Sequence, residues 1–199
     1  MSLKIGITGG IGTGKTLICK IFQTLGAPIL NADQLAKQVM VENEGLKNSL
    51  KAEFGENIYF SDGQLNRKLL SSLVFTDKDK LDILNKHVHK VVIEESINWA
   101  NSQTAPYCVK EAALLFESGS YQHNDFNILV VAPLEIRIKR VMERDQVTRE
   151  EVIRRIENQW PDDKKKELAD FIIINDNQQA ILPQVLKLHT QFLNQAAGK

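Results

Sequence analysis

Gly9-Gly10-Ile11-Gly12-Thr13-Gly14-Lys15-Thr16 decides the reading of this 199-residue chain. The octet satisfies G-x-x-x-x-G-K-[ST]. A short apolar run over 3–8 precedes it, and Leu17, Ile18, Ile21, Phe22 and Leu25 follow it at helical spacing. Strand, loop and helix in that order make a phosphate nest. The glycines let the backbone curl so that N–H groups converge on phosphate oxygens, and the helix opening at Lys15 adds the positive end of its dipole. Gly10, Ile11, Gly12, Thr13 and Gly14 then supply amides, Lys15 reaches the β and γ phosphates, and Thr16 is placed for Mg²⁺. The competing reading is a glycine-rich turn that only joins strand to helix. The motif points to a nucleoside triphosphate and says nothing of its fate.

Outward from the octet, residues 28–30 make a second short strand, closed by Asn31, Ala32 and Asp33 before a helical segment begins near 34. Two strands and a crossover helix form a right-handed parallel unit. Residues 34–100 carry successive amphipathic faces without a convincing strand. Residues 107–115 are apolar-rich around Glu111, and Asn127 through Ala132 read as a buried strand ended by Pro133. Thr148 and Glu151 fit a capping box for a helix over 149–159, which Trp160-Pro161 stops. A last strand over 171–174 and a helix over 181–193 complete an α/β pattern, a parallel sheet with helices on both faces.

Lys plus Arg number 25 and Asp plus Glu number 25, so no global field holds nucleic acid or an anionic membrane, and any anion site is local. No run approaches a membrane span and the first residues do not form a signal peptide, which leads us to expect a soluble, cytoplasmic protein. Cys19 and Cys108 match no metal spacing and are expected as reduced core residues.

Asp33 ends the second strand, where a carboxylate can accept the proton of an attacking hydroxyl; capping the next helix is the equal alternative. Glu111 is either a Mg²⁺ contact through water or a buried structural acid, and Glu117 either a substrate contact or a loop charge. Arg137, Arg140 and Arg144 share a helix face in a segment, 137–155, with seven basic and four acidic residues. That face is either solvated or a clamp for a transferring phosphoryl group. His87 and His89 are two apart and do not form a metal pair on a helix. A kinase for another small acceptor, such as a nucleoside monophosphate, and a nucleotide-driven switch remain rival readings. The absence of N-K-x-D counts against a GTP switch.

The phosphate loop, N-A-D at 31–33, D-G-Q-L-N-R at 62–67, E-A-A-L-L-F-E at 111–117, R-V-M-E-R-D at 140–145, R-I-E-N-Q at 155–159 and A-D-F-I-I-I-N at 169–175 together resemble the dephospho-CoA kinase family over nearly the whole chain. The resemblance implies phosphorylation of the ribose 3′-hydroxyl of dephospho-CoA, with ATP and Mg²⁺, by a P-loop NTPase-type three-layer fold. The protein would be a monomer or small homo-oligomer without nucleic acid or membrane partners. It implies a core over about 1–33, 101–136 and 166–199, a helical substrate-binding insertion over about 34–100 and a lid over about 137–165. By position it makes Asp33 the base, gives Lys15 and Thr16 the phosphates and metal, puts Arg140 and Arg144 in the lid, and lines the acceptor site with Arg67, His87 and Glu117. Asn31 stands where the family commonly has Asp, Lys37 where Arg is usual, and Ala112-Ala113 where Val-Pro is usual.

Overall fold

Short apolar runs become five parallel strands, and the computed structural model describes residues 2–75 and 77–198 of the chain. The strands are β1 (Leu3–Thr8), β2 (Ile29–Asn31), β3 (Tyr107–Glu111), β4 (Phe126–Val131) and β5 (Phe171–Ile174), in sheet order β2-β3-β1-β4-β5. Every pairing is parallel, with Ile7 opposite both Glu111 and Ile128, and Asn31 opposite Glu111. A parallel sheet puts all its strand ends on one edge. The residues after β1 and β3 therefore share that edge with the end of β2 at Asn31.

The helices are α1 (Lys15–Thr24), α2 (Ala32–Glu42), α3 (Glu44–Phe54), α4 (Arg67–Phe75), α5 (Lys78–Asn101), α6 (Leu134–Asp145), α7 (Arg149–Glu157), α8 (Asp162–Lys166) and α9 (Ile181–Ala197). The chain divides into two compact units, one ending at Asn31 and resuming at Trp99, the other Ala32–Asn98.

In the first unit, alternate residues Leu3, Ile5 and Ile7 of β1, Tyr107 and Val109 of β3, and Ile128 and Val130 of β4 meet Ile18, Cys19 and Phe22 of α1 and Val185, Leu188 and Phe192 of α9. Phe192 is wholly buried, its ring 5.5–6.4 Å from those of Phe22, Tyr107, Phe126 and Phe171. Burying a Phe stabilises by roughly 1.5–3 kcal/mol, so this one residue fastens α9 to the sheet. Both cysteines are free and buried. A second, smaller cluster joins Ile138 and Val141 of α6 to Val152 of α7, with Ile11 of the glycine loop packed against them.

β3 stops at Glu111, and Ala112 through Ser118 turn inward and bury Leu115 and Phe116. Two boundaries differ from expectation. α7 ends at Glu157, where the Gln159 amide bonds Ile156 O in a tighter turn. α9 continues to Ala197 because Phe192 anchors its final turns.

The second unit packs Leu46 and Leu50 of α3 and Leu70 of α4 as buried residues, with Tyr59 Oη donating to Met40 O at 2.7 Å. Its nearest approach to a strand, among the described residues, is an isolated bridge between Tyr59 and Leu65 across the turn at Gly63, which has φ +82°. No helix among the described residues is long and apolar enough to cross a membrane.

Candidate active site

β1 delivers the chain into residues 9–14 at the sheet edge. Gly12 at φ +81° and Gly14 at φ +94° take left-handed conformations that a side chain would strain. Gly14 offers α1 no capping side chain, which leaves the helix N-terminus to an anion. Thr13 closes the curl, its N–H and hydroxyl both donating to Gly10 O at 3.2 and 2.9 Å. Lys15 Nζ donates to Gly9 O at 2.8 Å, so the ammonium lies over the loop.

At the second position of α1, Thr16 Oγ1 donates to Glu111 Oε1 at 2.8 Å. Asn31 Nδ2 donates to Glu111 Oε2 at 3.2 Å. β-sheet register makes this possible, since Glu111 ends β3 between β1 and β2. Burial, and next the charge of Glu111, push the Cys19 thiol far up and keep it neutral beneath the pair. A hydroxyl and a carboxylate this close form a hard-oxygen donor set that fits Mg²⁺, which takes one or two protein oxygens and fills the rest with water and phosphate. No cluster of three or more His, Cys, Asp or Glu suited to a metal occurs among the described residues, and Mg²⁺ of that kind requires none.

The three arginines separate. Arg137 is 6% exposed, and its guanidinium lies where a Cβ on Gly10 would stand. Its Nε donates to Ile11 O at 2.9 Å and its Nη1 pairs with Asp162 at 3.2 Å. Arg140 reaches Gly12 O at 3.4 Å, Asn175 Oδ1 at 3.0 Å and Asn177 Oδ1 at 2.6 Å. Arg144 is largely exposed and paired with Asp145 at 2.7 Å, and Arg155 shares that acid at 2.8 Å. A solvated face describes Arg144 alone, because the period-seven stripe runs from the glycine loop outward.

Glu117 is held by Lys165 at 2.9 Å and by the Trp160 N–H at 3.1 Å, tying the loop after β3 to the start of α8. Asp33, Arg67 and His87 belong to the second unit. Asp33 is exposed at the second position of α2, inside the helix, so it is not the cap that the alternative reading made it. Arg67 opens α4 and is exposed, and His87 Nε2 lies 3.6 Å from Glu53 Oε1.

Sequence reasoning passed over Asn175, Gln159 and Lys165. Asn175 is buried and its amide donates to Thr13 O at 2.8 Å. Gln159 Oε1 accepts from Ile11 N–H at 2.9 Å. Both are the last residues of motifs quoted above, and that terminal position was the available signal. Lys165 is one of three consecutive lysines, and nothing local distinguishes it.

Comparison with known proteins agrees with this geometry. The dephospho-CoA kinase family model, CoaE, matches residues 3–180. A dephospho-CoA kinase from Bacteroides fragilis is 34% identical over 94% of this chain and 92% of its own. The crystal structure of TT1252 from Thermus thermophilus superposes with TM-score 0.83 at 34% identity, covering 96% of this chain and 98% of that one. A dephospho-CoA kinase from Campylobacter jejuni superposes with TM-score 0.71 at 27% identity over 98% of each chain.

Proposed function

The chain belongs to the dephospho-CoA kinase family, and from that premise we propose that it transfers the γ phosphoryl group of ATP to the ribose 3′-hydroxyl of dephospho-CoA, forming coenzyme A and ADP. The observation that carries the reading is the joining of the phosphate loop to an acidic strand end, with Thr16 and Glu111 2.8 Å apart.

In this reading the amides of residues 10–14 and the Lys15 ammonium balance the phosphate charge, and α1 adds its dipole. Thr16 and Glu111 hold Mg²⁺. Bound there, Mg²⁺ would supply positive charge that offsets the negative charge of the phosphates. Asp33 takes the proton of the attacking hydroxyl, a role supported by its exposed carboxyl two residues beyond the end of β2. Arg140, held by Gly12 O and by the side chains of Asn175 and Asn177, keeps a positive charge beside residues 12–14. Arg144, Arg67, His87 and Glu117 are assigned by family resemblance to the lid and the acceptor site. α6 through α8 act as the lid that excludes water, without which ATP would be lost to hydrolysis. Residues 34–100 receive the acceptor. The balanced charge of the chain supports a small-molecule substrate and a cytoplasmic setting, with no nucleic-acid or membrane partner.

The test is incubation with ATP, Mg²⁺ and dephospho-CoA, with mass analysis for a gained phosphate and its position. A product phosphorylated on the ribose 3′-oxygen is expected. A thermal-shift screen against nucleoside monophosphates separates the rival acceptor, since a ligand at 100 times its Kd adds about 2.7 kcal/mol.

A further inference from the structure

Ile11 sits between two glycines, so the peptide planes on either side of it each adjoin a conformationally permissive residue. Both are nonetheless held. The Gly10–Ile11 plane offers its N–H to Gln159 Oε1 at 2.9 Å. The Ile11–Gly12 plane offers its carbonyl to Arg137 Nε at 2.9 Å. Arg137 is anchored in turn by Asp162.

Gln159 does a second thing. Its Nε2 donates to Ala113 O at 3.3 Å, two residues beyond Glu111. One carboxamide therefore joins three segments: the glycine loop, the end of α7 and the chain leaving β3. The requirement is chemical. A carboxamide carries its acceptor and its donor on separate atoms of one planar group, and so reaches an N–H and a C=O on two different segments together. Regular secondary structure supplies neither partner at Ile11 or Ala113; Ala113 O has one other side-chain donor, Thr8 Oγ1 at 3.4 Å, and the Ile11 N–H takes its partner from Gln159.

We propose that Gln159 is a positioning residue for nucleotide binding: it fixes the first peptide plane of the loop against residue 113, so that the curl is already set when phosphate arrives. The proposal rests on the reading that residues 9–16 hold the phosphates. Preorganisation of this kind lowers the ordering cost of binding and leaves the reacting atoms untouched. Losing it weakens the nucleotide complex more than it slows the bound one.

The experiment titrates ADP calorimetrically into the full chain and its Gln159→Ala, Gln159→Glu and Thr148→Ala variants, alongside ATP kinetics and nucleotide-free melting points. Gln159→Ala is expected to bind ADP about tenfold more weakly. Its KM for ATP should rise in proportion while kcat stays within about threefold. Thr148→Ala removes the capping box of α7, lowers the melting point and leaves ADP affinity as it was.

Gln159→Glu supplies the readout that a merely structural role does not move. An ionised carboxylate sets an oxygen against Ala113 O, whereas a protonated carboxyl has the donor and acceptor pattern of the carboxamide. Its ADP deficit, relative to the parent at the same pH, should therefore narrow between about pH 8 and pH 5. It also decides the matter if the alanine variant does not fold. Parental affinity in Gln159→Ala, an equal loss in Thr148→Ala, or a Glu deficit that ignores pH each overturns the proposal. A parent protein that fails to bind ADP overturns the phosphate-loop reading itself.

Discussion

Lys165, with no exposed surface, directs its ammonium at Glu117 Oε1 across 2.9 Å, and that same oxygen accepts the Trp160 N–H at 3.1 Å. A buried ion pair adds little over an apolar replacement, but breaking one leaves a charge stranded. This pair latches α8 to the loop that follows β3. Glu117→Ala is expected to lower unfolding free energy by about 3–5 kcal/mol, and Glu117→Leu combined with Lys165→Met to recover most of it. Urea denaturation of the two variants checks this. Equal losses would mean that the pair is not the latch.

Asp33 is exposed within the first turn of α2, so its removal takes away one favourable helix-end charge and little packing. Asp33→Asn is expected to change stability by no more than about 0.3–1 kcal/mol. If Asp33 is the base, turnover falls about 10²- to 10⁴-fold. Thermal melts and steady-state rates on one preparation separate the effects, and full activity in the variant removes Asp33 from the base role.

Lys110 of β3 is buried, its ammonium 2.6 Å from Ser120 Oγ, and burial depresses its pKa from 10.5 to about 8. Below about pH 8 both folded and unfolded chains carry this proton, and the fold bears the full cost of the buried charge. Between about 8 and 10.5 the unfolded chain binds more protons than the folded one, so stability rises with pH. Lys110→Met should accordingly stabilise at pH 7 by on the order of 3 kcal/mol, with the gain shrinking toward pH 10. Denaturation midpoints of parent and variant at several pH values measure it. A gain that grows with pH would have the wrong sign.

Asn31 Nδ2 lies 3.2 Å from Glu111 Oε2, where the family commonly has an acid. Asn31→Asp replaces a donor with a second carboxylate facing the first, and like charges that close repel. The variant is expected to melt lower than the parent in chelator. It should gain more than the parent from millimolar Mg²⁺, because a divalent cation relieves the repulsion. Paired melting curves with and without the ion decide it, and an equal Mg²⁺ response in the two proteins would count against Thr16 and Glu111 as the metal donors.

The Thr16–Glu111 contact marks what local sequence makes visible. The octet carries its own geometry: glycines that permit positive φ, a lysine and a threonine at fixed offsets, and a helix that must begin there. Apolar runs placed four of the strands and marked the stretch that holds β3 as apolar-rich, and Thr148 and Glu151 placed the start of α7 within the residue, since capping is chemistry between near neighbours. Which acid meets Thr16 is a different kind of fact. Glu111 is 95 residues away and arrives only because β3 pairs with β1 in one register.

The arginine stripe shows the same limit. Spacing put Arg137, Arg140 and Arg144 on one face, yet only packing made the first a buried support for Ile11, the second a brace to Asn175 and the third a surface ion pair. Lys165 carries no local mark at all, and Gln159 only its place at the end of a motif, because their partners lie 48 and 148 residues away in the chain. Sequence determined the elements and the phosphate chemistry, since both are written in offsets of a few residues. Tertiary structure alone decided which polar groups satisfy one another, because a buried donor takes whichever acceptor the assembled sheet brings to it.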